Sequence, residues 1–177
     1  MRLFFALWPP TDAAEQLAEV ARATATRFGG KPTRAETIHL TLAFLGDVPE
    51  AQLPLLRQTA QSIRAEPFVL VIDCLGFWNR NRLLWAGNAS PNVALAELIE
   101  LLQQALTEAG FAVDGRNRIF TPHITLIRKL PEAVVPLTLP AMDLISWHCT
   151  RFALVCSKTP GAGATYQTLV DFPLSRR

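Results

Sequence analysis

The chain has 177 residues, 50% of them hydrophobic and 18% charged. A chain of that length buries about 70% of its unfolded surface, which excludes disorder as the main state and removes any need for a disulfide or metal staple. Lys and Arg number 17 against 15 Asp and Glu, a net charge of +2. That balance argues against coating of long nucleic acid, which calls for broad basic faces, and leaves room for a small anion or one nucleic-acid end.

Arg2 to Trp8 is apolar on both alternations, the pattern of a strand covered on both faces. The run stops at Pro9-Pro10, too short for a secretory signal, and no apolar stretch of the chain is long enough for a membrane span. Asp12 with Glu15 reads as an N-cap with an acidic residue three positions on. Leu17, Val20, Ala21 and Phe28 then carry a helical stripe that Gly29-Gly30 ends. A strand with period two follows. Leu40, Leu42 and Phe44 fall on its core face, and His39, Thr41 and Ala43 on the other. A second helix is expected from about Glu50 to Arg64, with Leu53, Leu56, Ala60 and Ile63 inward and Pro54 in its first turn.

Phe68 to Leu75 is a β-rich run, and Asn79-Arg80-Asn81 marks a hairpin turn into the strand Arg82 to Ala86. Pro91-Asn92 opens a third helix with the stripe Leu95, Leu98, Leu102 and Ala105, closed by Gly110. His123 to Ile127 alternates again. Strand-like runs close the chain at Met142 to Ser146, Arg151 to Cys156 and Tyr166 to Phe172, the last two separated by a turn at Pro160-Gly161-Ala162-Gly163. The cysteines Cys74, Cys149 and Cys156 are odd in number and lack zinc-ribbon spacing, so a reducing, cytoplasmic setting is expected. Cys74 and Cys156, in apolar strands, read as packing.

The two halves repeat one order: a strand led by Arg-Leu, an amphipathic helix, then a strand opening His-x-Thr-Leu. This predicts an internal duplication with a pseudo-two-fold relation, in an α+β fold built from two antiparallel-rich sheets flanked by helices, one sheet per lobe. The copies are His39-Leu40-Thr41-Leu42 and His123-Ile124-Thr125-Leu126, and they take two of the three histidines in the chain. Residues i and i+2 of a strand share a face, so each copy presents an imidazole beside a hydroxyl. A lone His-x-Thr is commonplace, but the scarce residue recurring in duplicate context points to chemistry. Two hydroxyls can donate to phosphate oxygens. Two imidazoles on opposite sides of the phosphorus can take a proton from water and give one to a departing alkoxide.

The segments Arg2-Leu3-Phe4-Phe5-Ala6-Leu7, His39 to Gly46 and Pro122 to Arg128 closely resemble the RNA 2′,3′-cyclic phosphodiesterases of the two-histidine phosphoesterase superfamily, first described as 2′-5′ RNA ligases. The resemblance covers nearly the whole chain. It implies a single two-lobed domain over residues 1–177, a central groove with one His-x-Thr motif from each lobe on its floor, and a catalytic set of His39, Thr41, His123 and Thr125. It implies metal-independent hydrolysis of a 2′,3′-cyclic phosphate to a 2′-phosphate, without a cofactor, with His123 as base and His39 as acid. The substrates it implies are RNA with cyclic phosphate ends, tRNA halves among them and joined reversibly through a 2′-5′ bond, or small cyclic nucleotides. Nothing in the chain demands more than a monomer. Arg128 matches the family pattern as a phosphate binder, although strict alternation turns it away from His123 and Thr125. Phe44 holds the equivalent place in the first copy, where alternation assigns it to the core.

Arg80, Arg82, Arg116, Arg118 and Lys129 are either a rim for an RNA end or a solvated surface. Trp78, beside the hairpin turn, is the best candidate for stacking a base. Two other functions compete. One is a zinc hydrolase using His39, His123 and His148; the other is a non-catalytic nucleotide-binding module in the same groove. His148 lies in no motif and reads as structural or superficial.

Overall fold

A computed structural model describes residues 1–114, 121–132, 138–158 and 165–175. Arg116, Arg118 and the turn Pro160 to Gly163 lie outside the described residues. In chain order the elements are β1 (Arg2–Leu7), α1 (Thr11–Phe28), β2 (Lys31–Pro32), β3 (Leu40–Asp47), α2 (Leu53–Gln61), β4 (Phe68–Ile72), β5 (Cys74–Trp78), β6 (Leu83–Gly87), α3 (Val93–Glu108), β7 (Ile124–Arg128), β8 (Ile145–Cys149), β9 (Arg151–Lys158) and β10 (Thr165–Pro173).

The fold is α+β, as expected, and the two lobes meet in one sheet. Strands β10, β9, β1 and β3 form one half; β7, β6 and β5, with β2 on the edge of β7, form the other. The halves join through a single antiparallel pair, Leu40 with Ile124. A separate two-stranded sheet pairs β4 with β8. The duplication appears as β1 beside β3 in one half and β6 beside β7 in the other. The helices cross between halves: α1 packs on β7 and α3 on β3. Leu17, Ala18 and Ala21 of α1 and Leu95, Leu98, Leu102 and Leu106 of α3 enter one core with Leu40, Leu42, Ile124 and Leu126.

Several local expectations shift. α1 begins at Thr11 behind Pro10, without a side-chain cap, so Asp12 belongs to its first turn, where it meets the positive end of the helix dipole. α2 is shorter than its pattern: residues 50–52 form a 3-10 turn, and Pro54 sits in the first turn, where no amide is needed. Asn92 caps α3 by accepting from the Leu95 amide at 3.0 Å. The run from Phe68 breaks at Asp73, whose carboxylate accepts from the Ala89 amide at 2.7 Å, so β4 and β5 go to different sheets. The strand expected from Met142 begins at Ile145 instead, where Ile145, Trp147 and Cys149 face the core and alternate with exposed residues.

Two bulges matter most. In the β1–β3 ladder Phe5 pairs with Ala43 and Ala6 with Thr41, which leaves Leu42 unpaired as an extra residue. Leu42 and Ala43 are therefore both buried, and Phe44 turns to the same side as Thr41, not into the core. In the β6–β7 ladder Leu84 pairs with Ile127 and Trp85 with Thr125, skipping Leu126. The same reversal brings Arg128 round to the side of Thr125. Strict alternation misassigned both residues because an added residue inverts every face beyond it.

Candidate active site

The site grows out of the Leu40–Ile124 pair. Both side chains are fully buried, so their strand neighbours stand on the opposite, groove face. Antiparallel register sets Thr41 beside His123 and Thr125 beside His39, with the two imidazoles diagonal across the junction. The four groups expected from the paired motifs are thus brought together.

Each histidine sits one residue ahead of its strand and is held the same way. His39 Nδ1–H donates to the Thr37 carbonyl at 2.7 Å, and His123 Nδ1–H to the Thr121 carbonyl at 2.9 Å. A carbonyl only accepts, so these bonds fix the tautomer and leave Nε2 as the atom with a lone pair to offer. The surroundings differ. Phe4, Trp8 and Tyr166 ring His39, with centroids at 5.0, 5.3 and 5.0 Å. His123 has Trp78 edge-on at 4.4 Å. Burial lowers the His39 pKa to about 4, with Arg128 and His123 adding smaller effects in the same direction. Burial also lowers His123, again helped by Arg128.

Arg128 shares an open cavity of about 380 Å³ with His39, Thr41, Phe44, Arg2 and Tyr166. Trp78 is half-buried against His123 and Trp85. Its support is close: a Cβ on Gly76 would stand 2.0 Å from the Trp85 ring, so only glycine fits beneath it. Arg2 and Tyr166 went unrecognised as groove residues. The usable signal was the alternation of Arg2, Phe4 and Ala6 along β1, since Phe4 and Ala6 form a small cluster with Phe44 and Tyr166 apart from the main core.

The remaining candidates fall outside. His148 lies on β8 and lines a different cavity, of about 240 Å³, with Arg151 and Asp171. The three histidines therefore do not converge, and among the described residues no group of three His, Cys, Asp or Glu is placed to hold a metal. Arg82 is engaged with Glu132 at 3.4 Å, and Arg80 and Lys129 are exposed. The cysteines are free thiols, and burial pushes Cys149 up to about 12, which keeps it protonated and unreactive. A larger cavity, about 540 Å³, lies between β6 and α3, but neither His39 nor His123 reaches it.

A two-lobed α+β fold with paired His-x-Thr segments across a central junction defines a phosphoesterase of the LigT type. The family model described as "LigT like Phosphoesterase" matches residues 7–85. The chain is 35% identical over 179 residues to the RNA 2′,3′-cyclic phosphodiesterase of Escherichia coli strain K12, covering 99% of this chain and 97% of that protein. It is 32% identical over 181 residues to the enzyme of the same name from Thermus thermophilus, covering 98% and 90%. The crystal structure of E. coli LigT complexed with 3′-AMP superposes with a TM-score of 0.89 at 34% identity, covering 99% of this chain and 98% of that one. The chain belongs to the RNA 2′,3′-cyclic phosphodiesterase family of LigT-like phosphoesterases.

Proposed function

We propose that this protein hydrolyses 2′,3′-cyclic phosphate ends of RNA to 2′-phosphates, with His39, Thr41, His123 and Thr125 as the catalytic set. The observation that carries the reading is the single Leu40–Ile124 pair, which supports two imidazoles and two hydroxyls around one point. Thr41 and Thr125 donate to the non-bridging oxygens, and the Arg128 guanidinium balances their charge. His123 Nε2 takes a proton from water as its oxygen bonds to phosphorus. The bond from phosphorus to the 3′-oxygen breaks, and His39 delivers a proton to that oxygen. Burial favours neutral imidazoles, and the charge of an anionic substrate offsets that desolvation, so the acid acquires its proton together with the substrate.

The substrate is an RNA end, with tRNA halves and small cyclic nucleotides in the same chemical class; with a 5′-hydroxyl attacking phosphorus in place of water, the same displacement, with the 3′-oxygen leaving, joins two ends through a 2′-5′ bond, and its reversal separates them. One chain forms the whole groove, and we assign the protein as a cytoplasmic monomer of a single two-lobed domain. No helix among the described residues is long and apolar enough to cross a membrane.

Product analysis on an oligonucleotide ending in a 2′,3′-cyclic phosphate tests the reading, with a chelator arm included. The expected product is the 2′-phosphate, formed at the same rate with chelator. His39→Ala and His123→Ala are each expected to lose about 10²- to 10⁴-fold in rate while staying folded. Full activity in either variant refutes the assignment, and tight binding without turnover favours the nucleotide-binding module. The deeper burial of His39 favours a second reading in which the acid and base exchange roles. A substrate with sulfur in place of the 3′-oxygen separates them, because a thiolate leaves without a proton. Rescue of His39→Ala supports the order given, and rescue of His123→Ala reverses it.

A further inference from the structure

The pseudo-two-fold relation is also broken at the position that follows each motif. Arg128 follows the second motif, and at the same offset from its histidine the first motif has Phe44. The bulge in β3 turns Phe44 into the groove, where an aromatic ring offers nothing to an anion by itself. A cation stands on it, however. The Arg2 guanidinium lies over the Phe44 ring, 5.1 Å from its centroid, an arrangement that orients the planar group and spares its hydrogen-bond donors. Arg2 shares a β1 face with Phe4 and Ala6 and lines the same cavity as His39, Thr41 and Arg128.

Among the described residues no carboxylate forms an ion pair with either guanidinium. Asp47 lies across from Arg2 in the β1–β3 register, yet the ion pair found among the described residues is that of Arg82 with Glu132. Arg2 is also offset from the histidines: it lies one strand repeat from Phe4, about 7 Å along β1, and it is the Phe4 ring that meets His39. That step is comparable with the spacing of successive phosphates on an extended strand.

We infer that Arg2, held on Phe44, is a second phosphate subsite, for the phosphate on the 5′ side of the nucleotide whose cyclic phosphate reacts. The inference rests on the proposed function for the identity of the first phosphate. A 2′,3′-cyclic end closes the chain on its 3′ side, so the neighbouring phosphate of such a substrate is the 5′ one. The subsite distinguishes an RNA end, or a nucleotide phosphorylated at its 5′ position, from a bare cyclic nucleoside.

Equilibrium titration decides this without turnover. The probes are 3′-AMP, the ligand in the E. coli structure, and adenosine 3′,5′-bisphosphate. The wild-type protein is expected to bind the bisphosphate about tenfold more tightly, the effect of one charge-assisted hydrogen bond. Arg2→Gln should abolish that preference, Arg2→Lys should keep part of it, and Phe44→Leu should weaken it with Arg2 still present. Arg151→Gln, remote from the groove, should leave it intact. Equal affinities in the wild type, or a preference that survives Arg2→Gln, overturns the subsite; if Arg2→Gln fails to fold, the wild-type comparison and Arg2→Lys still decide. A protein that binds with this preference but turns over no cyclic phosphate would sink the proposed function and leave the subsite standing.

Discussion

At the scale of single residues, His39 and His123 share a sequence context and a backbone hydrogen bond yet differ in acidity. Three aromatic rings enclose His39 and one lies on His123, so removal from water penalises the imidazolium more at His39. This has a consequence for stability. Unfolded, His39 titrates at its ordinary value near 6.5; folded, at about 4. As pH falls through that window the unfolded chain takes up the proton first, so stability held above pH 6.5 drains away and the loss is complete just below pH 4. The difference corresponds to about 3 kcal/mol at most. Urea unfolding at pH 7, 5.5 and 4 should show that decline, and His39→Gln should flatten most of it. An equal slope in the variant would place the titrating group elsewhere.

At the scale of elements, the two bulges do what no single substitution reveals. The unpaired Leu42 swings Phe44 into the groove, and the skipped Leu126 does the same for Arg128. The hairpin of β5 and β6 serves His123 from behind: Gly76 admits the Trp85 ring, Trp85 backs Trp78, and Trp78 stands on His123. Gly76→Ala forces at least one of these rings to move. The expected result is a loss of about 1–3 kcal/mol of stability together with a fall in kcat that persists at temperatures where the variant is fully folded. Thermal unfolding and turnover measured side by side check this; unaltered turnover would mean that the Trp78 contact does not position His123.

At the scale of the whole molecule, the duplication does not yield two independent halves. Each long helix packs on a strand of the other half, and Gln103 of α3 donates through Nε2 to the Leu42 carbonyl at 3.0 Å in the core. Leu42 is the residue that the β3 bulge leaves without a partner, so a side chain from the second half satisfies a backbone group in the first. Gln103→Leu is expected to cost about 1–3 kcal/mol by stranding that carbonyl, at about 2–4 °C in Tm for each kcal/mol in a chain of this size. Because the bond anchors the strand that carries Thr41 and Phe44, kcat should fall as well. A Tm within a degree of wild type would show that water or a rearranged backbone replaces the bond.

Much of this is legible in the sequence. Helical and strand periods located α1, α3, the hairpin and the strands bearing His39 and His123, because each of these elements buries one face and the sequence must alternate accordingly. The recurrence of His-x-Thr in matching halves singled out the four central groups, since both copies sit at the start of strands whose apolar residues define which way the polar ones face. What the chain could not declare was anything that depends on partners across a ladder. A bulge is a property of two strands in register, so the sides taken by Phe44 and Arg128 were decided only when β1 and β6 paired beside them. The break at Asp73 likewise depends on the distant Ala89 amide. The unequal burial of the two histidines and the seat of Arg2 on Phe44 arise from residues far apart in sequence. Local pattern determined which groups are available for chemistry; long-range packing determined which of them share a groove and in what charge state they wait there.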